Sequence, residues 1–314
     1  MVKTFSRLNK AIMENIALSP QAIMVVAGFS ALFRAILNLI DRHQIGRQRL
    51  SIVDLSLYNN LIPAVLLASA LWVLGLGYQL LVQIPNWRCV MFGGLIQAVA
   101  YGFSYGFRHL TVVQASVAGK AADLVIPLGV AATAATSTWE NFPFSVVTTL
   151  LFLPLLSGDG PGPSSGLALP AFVVFILVVM QGLVAPWLGT MAGFGNDTDP
   201  WKDALVFATS VIIWRTVWSL LPLMRKARGN FHSPWPLLKQ PLFMLRVVMT
   251  VATQLTFIAA VTSIHSAAAW PILNSAGLLA MVLATVVMKE KSHRYQTVIL
   301  LAVAGVSAIR FVTL

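Results

Sequence analysis

The sequence predicts an all-α integral membrane protein, with ten transmembrane helices forming two inverted five-helix repeats. Three observations predict it. Hydrophobic residues make up 58% of the 314-residue chain and charged residues only 10%, against roughly 25% charged in a soluble domain. A soluble fold of that composition would expose large apolar patches. The apolar residues fall into ten runs, each meeting or approaching the roughly 20 helical residues that cross a hydrocarbon core. A glycine-, proline- and serine-rich stretch, 158–166, lies almost at the midpoint and parts the runs five and five, since glycine and proline disfavour helix.

Residues 1–19 precede the first run. Phe5, Leu8, Ile12 and Ile16 recur there at helical spacing among Lys3, Arg7, Lys10 and Glu14, a pattern that suits an amphipathic helix on a membrane surface or a solvated tail. The apolar core and small-residue cleavage site of a signal peptide are missing from it. The first repeat, 20–157, contains segments Ala22–Leu39, Leu57–Leu81, Val90–Phe107, Leu110–Ala135 and Phe144–Leu156, the last being the shortest and starting just after Pro143. After the linker 158–166, the second repeat, 167–314, contains Leu167–Leu188, Ala204–Leu223, Leu242–Ile264, Ala267–Met288 and Thr297–Leu314. Its connections include an acidic loop, Gly193 to Lys202, and a basic one, Arg225 to Gln240.

The formal charge of +11 resides mostly in short connections, among them Arg42, Arg47 and Arg49, then Arg225, Lys226 and Arg228, then Lys289, Lys291 and Arg294. Such clusters meet anionic headgroups, so the expected partners are the lipid bilayer and a small-molecule substrate, and no nucleic acid. Cys89 is the single cysteine and allows no intramolecular disulfide. The five histidines lie in connections or at segment edges without ligand-like spacing, and no Walker, Rossmann or HExxH pattern is present. Neither an enzyme, a metal nor a cofactor is expected.

Within the spans, ionisable groups point to function. A charge at membrane depth costs at least about 2.5–3.5 kcal/mol, so it faces a partner or a cavity. Lys120 and Asp123 stand in the fourth segment, Arg34 in the first and Arg215 in the seventh, leaving two positive charges uncompensated. That excess predicts a cavity for an organic anion or a zwitterion. Lys120 and Asp123 are also i,i+3 neighbours able to form a purely structural bridge. Asp123, as the only acid well inside a span, is the expected proton carrier if transport is proton-coupled. Arg215 has Trp214 and Trp218 beside it, which suits packing or an interfacial belt equally, and Arg246 near a helix start is expected to snorkel to the headgroups. Tyr101 and Tyr105 with Gln97 form a stripe on the third segment, and Trp270 with Asn274 one on the ninth. Such aromatic and amide groups shape solute sites, although packing and interfacial anchoring explain the aromatic residues too.

The fourth and ninth segments carry the sign of a repeat. One reads Leu110-Thr111-Val112-Val113-Gln114-Ala115-Ser116-Val117-Ala118 and ends at Trp139-Glu140; the other reads Val261-Thr262-Ser263-Ile264-His265-Ser266-Ala267-Ala268-Ala269 and ends at Lys289-Glu290. Five helices per half is an odd number, so the halves would insert with opposite orientation.

On these residues the chain resembles the ten-helix, EamA-type members of the drug/metabolite transporter superfamily. Pro127 and Glu140 match the first copy of that family's pattern; Ala267 to Ala269, Gly277 and Glu290 match the second, with Pro271 earlier than the family's proline. Ala302-Val303-Ala304-Gly305-Val306 is similar to the family's last helix, whereas Ala27-Gly28-Phe29-Ser30 departs from its usual tryptophan–glycine pair. The resemblance implies alternating access through a central cavity bordered by helices 1, 3, 4, 6, 8 and 9, and efflux or exchange of a small metabolite. A non-transporting binder or a lipid flippase or scramblase is the alternative. The resemblance and the basic N-terminal residues place both termini in the cytoplasm, while the basic connections after segments 1, 7 and 9 argue the reverse. A bacterial inner membrane is expected over an organelle membrane, with the protein a monomer or homodimer.

Overall fold

The computed structural model describes residues 19–41, 43–44, 52–109, 112–133, 141–152, 168–190, 200–226, 239–263, 265–288 and 294–313. Residues 1–18, the linker 158–166, Glu140, Glu290 and the side chain of Tyr105 lie outside the described residues. Among the described residues every regular element is helical. The order is α1 (Pro20–Asp41), α2 (Ile52–Val73), α3 (Gly77–Gln83), α4 (Trp87–His109), α5 (Val112–Ala121), a 3-10 turn (Ala122–Leu124), α6 (Ile126–Thr133), α7 (Phe142–Leu150), α8 (Ala168–Thr190), α9 (Pro200–Lys226), α10 (Pro241–Val261), α11 (Ser266–Leu273), α12 (Ala276–Met288) and α13 (Arg294–Thr313).

Among the described residues, five stretches are long and apolar enough to cross a bilayer: Pro20–Asp41, Val53–Val73, Lys202–Pro222, Pro241–Val261 and Ser266–Val287. Large apolar side chains face outward along the bundle, Val73, Val286 and Val312 among them. Water would penalise such a surface and lipid does not, which is consistent with a multi-pass membrane protein.

Among the described residues, three of the predicted segments are interrupted. Leu57–Leu81 breaks at Gly75, whose φ of +75° suits glycine alone among ordinary residues. Leu76 N–H donates to Leu71 O (2.8 Å) and Gly75 N–H to Trp72 O (3.1 Å), the paired bonds that close a helix over a left-handed residue. The chain restarts as α3. The fourth segment tightens into the 3-10 turn at Ala122–Leu124, between α5 and α6. The ninth breaks after Leu273, two residues beyond Pro271.

Helix α1 packs on α10 and on α11 and α12, while α8 packs on α4 and on α5 and α6. Helix α9 lies against both α2 and α4, and α7 meets α13. The main core gathers Ile23 and Ala27 of α1, Phe92 and Ile96 of α4, Ile126 of α6, Val174 and Val178 of α8, Phe207 and Val211 of α9, Phe257 of α10 and Trp270 of α11.

The α4–α9 seam is packed down to backbone contact. A Cβ at Gly93 would lie 2.7 Å from Trp214 Cβ and 2.9 Å from Val211 O, and one at Gly94 would lie 3.0 Å from Trp218 Nε1. Small residues permit such contact between helices in lipid. The indoles of α9 seal the seam: Trp214 Nε1 donates to Ile84 O (2.6 Å) and Trp218 Nε1 to Val90 O (3.1 Å). Both tryptophans beside Arg215 therefore serve packing. Gly93→Val should push α4 from α9 and destabilise the protein by about 1–3 kcal/mol, seen as a lower Tm in detergent; an unchanged Tm would show that the seam yields freely.

Candidate functional site

A cavity of about 500 Å³ opens between α1, α2, α4, α9, α10 and the α11–α12 break, within the roughly 300–1,000 Å³ of small-molecule sites. Its polar wall comes from stripes at helical spacing. Helix α1 contributes Arg34, Asn38 and Asp41; α10 contributes Arg246, Thr250, Thr253 and Gln254; α2 contributes Ser56, Asn59 and Asn60; α9 contributes Arg215. Residues at i, i+3, i+4 and i+7 share one helix face, so each stripe turns as a unit toward the hollow.

The charged groups of the wall are three arginines and one aspartate. Asp41 is engaged: Arg246 Nε donates to its Oδ1 at 2.5 Å. Arg246 is 92% buried and does not snorkel as expected, because an acid on α1 receives it inside the bundle. Arg34 and Arg215 have no carboxylate partner among the described residues. The guanidinium of Arg34 lies 5.1 Å from the Phe257 ring centroid, a cation–π contact that holds a cation without neutralising it. Arg215 is buried, and its Nε and Nη1 have no hydrogen-bond partner. In the same wall the amide of Asn59, the hydroxyls of Thr250 and Thr253 and Gln254 Oε1 are also without partners.

Lys120 and Asp123 stand behind this wall. Gly119 and Asn274 line the cavity, but Lys120 and Asp123 do not, and both are fully buried. Lys120 Nζ lies 2.7 Å from Asp123 Oδ2 and donates to Pro271 O at 2.5 Å. That carbonyl is available because the Ser275 N–H turns to Ile272 O at the helix break. Asn274 Nδ2 donates to Asp123 Oδ1 (2.6 Å), and Thr149 Oγ1 donates to Lys120 O (3.3 Å). The Phe152 ring, 5.4 Å from Nζ, covers the remaining side. The pair thus ties α5 and its 3-10 turn to the α11–α12 break, and the bridge weighed from sequence is the arrangement found.

The other expected site residues are dispersed. Gln97 is buried between α4 and α2, its Nε2 donating to Ser56 Oγ (2.9 Å) and its Oε1 accepting from Asn60 Nδ2 (3.0 Å); it orients two wall residues from behind. Tyr101 is half-buried with its hydroxyl 3.5 Å from Ser219 O. Trp270 is 1% exposed and meets Phe257 edge-on at 6.0 Å, so it backs the ring beneath Arg34. Of the residues proposed from sequence, Arg34, Arg215 and Asn274 reach the wall directly. Sequence reasoning missed Asp41, Asn59, Phe257 and the α10 stripe, although Arg246, Thr250, Thr253 and Gln254 mark one face of an otherwise apolar helix. Among the described residues, no three His, Cys, Asp or Glu side chains gather to hold a metal ion.

No family model matches the chain, and no curated protein does. Four solved chains match it in fold. One, known only as the crystal structure of a protein, superposes with a TM-score of 0.68 at 12% identity, over 92% of this chain and 96% of its own. At that identity the likeness concerns the fold alone, and it extends over nearly the whole of both chains.

Proposed function

We propose that the chain is a secondary transporter of the drug/metabolite type that moves a small organic anion or zwitterion by alternating access, in efflux or exchange. The observation that carries this reading is the cavity, with Arg34 and Arg215 exposing uncompensated charge inside an apolar bundle. Unneutralised cations in a low dielectric are costly. An arriving anion relieves that cost, and the cations recur where a solute must pass.

Two features support ten spans in two inverted repeats. Exchanging the first five segments with the last five carries the α1–α10 packing onto α8–α4, and α1 with α11–α12 onto α8 with α5–α6. It leaves α2–α9 and α7–α13 as they are. Setting Leu110 opposite Val261 also puts Lys120 opposite Pro271 and Asp123 opposite Asn274, and each touches its own counterpart 151 positions away. Residues related by a two-fold axis meet their own counterparts only beside that axis. The axis would then run through the seam between the fourth and ninth segments, with the cavity beside it.

Purified protein in liposomes loaded with unlabelled organic acids should drive saturable counterflow of the labelled acid, absent from protein-free vesicles. Transbilayer movement of a fluorescent phospholipid without solute flux would make the protein a flippase or scramblase instead.

A further inference from the structure

Charge counting narrows the substrate, resting on the transporter reading above. Of the three guanidinium groups in the wall, that of Arg246 is satisfied by Asp41. Two remain, Arg34 against the Phe257 ring and Arg215 with Nε and Nη1 unpartnered. Arg215 lies within electrostatic reach of both other arginines, so each of them adds to the cost of its charge in the hollow. Two further resident acids would balance the wall if these charges served the fold alone, and among the described residues Asp41 is its sole acid.

We propose that the cavity takes a small organic dianion, its two charges matched to Arg34 and Arg215. Its neutral body meets the unpartnered amide of Asn59 and the Thr250, Thr253 and Gln254 groups, a set of donors and acceptors suited to a hydroxyl or carbonyl. A monoanion leaves one guanidinium uncompensated. A zwitterion fits worse, since its ammonium finds only Asp41, which Arg246 already occupies.

Counterflow at neutral pH compares succinate and glycerol 3-phosphate with monomethyl succinate, which has the same skeleton and one charge fewer, and with the zwitterion serine. The dianions should exceed both others in kcat/KM by at least about tenfold, the worth of one charge-assisted hydrogen bond. The choice between the two dianions separates dicarboxylates from phosphate monoesters. Arg34→Gln removes one positive charge and should bring the monoester level with succinate. Asp41→Asn adds one to the excess and should widen the gap. A reading that needs no variant is the Tm of the wild-type protein in detergent, which succinate should raise more than its monoester does. Equal flux and equal stabilisation by succinate and its monoester, or a preference for serine, overturns the dianion and leaves the transporter standing. Absence of flux for every solute defeats the transporter reading itself, and the thermal shift still decides on the dianion.

Discussion

Arg215→Met is expected to abolish transport of anions while making the empty protein more stable. The two effects have opposite signs because they come from one charge. This guanidinium is buried, its Nε and Nη1 have no hydrogen-bond partner, and it lies within electrostatic reach of two other arginines. Replacing such a group with an apolar side chain of similar length removes desolvation and repulsion, a gain of about 1–3 kcal/mol once the wetness of the cavity is allowed for. In the proposed role the same group would give an anionic substrate a charge-assisted, forked contact. Its loss should lower kcat/KM by about a hundredfold or more, as for a buried charged pair deprived of one member. Counterflow and thermal unfolding in detergent measure the two halves. Arg215→Lys keeps the charge without the fork and should fall between. A variant with lower Tm and normal flux would assign Arg215 to packing.

The second large effect concerns Lys120 and Asp123. Each is fully buried and answers the other, so Lys120→Met or Asp123→Asn alone should cost about 3–5 kcal/mol by leaving an uncompensated ion in a dry seam. Lys120→Met combined with Asp123→Asn should recover most of that loss, because no charge is left. The thermodynamic cycle should therefore show strong coupling. Flux in the double variant tests the transport roles expected of these residues from sequence. A pH-gradient-driven flux unchanged in the double variant would mean that Asp123 carries no proton, whereas its loss in a protein of restored Tm would make Asp123 the carrier.

How far the sequence reveals this molecule depends on what a local pattern encodes. Apolar runs define helices wherever burial or lipid demands them, and among the described residues each of the ten expected segments contains helix. The interruptions were less legible. Gly75 lies inside a continuous apolar run, and its left-handed φ becomes evident only with the bonds it closes. Lys120 and Asp123 caught attention because charge is rare at depth, yet rarity does not say which way a side chain points. Their partners, Pro271 O and Asn274, are 151 residues away. Arg246 misled for the opposite reason: position near a helix start suggested the headgroups, while Asp41, at the end of another helix, drew it inward. The cavity wall was open to a periodicity argument on α1 and α10, where Arg34, Asn38 and Asp41, and Arg246, Thr250, Thr253 and Gln254, recur along one face.

The indole bolts between α9 and α4 have a mechanical consequence. Trp214 fastens its helix to Ile84 O, at the end of α3 just before α4, and Trp218 to Val90 O in the first turn of α4, across glycines that leave no clearance. Arg215, between those two tryptophans, is thereby mounted on a stiff α4–α9 chassis. Arg34 and Arg246 ride on the opposing α1–α10 pair, joined through Asp41. A solute spanning Arg34 and Arg215 would add a tether between these two helix pairs, and under the proposed alternating access that tether would link loading to rocking.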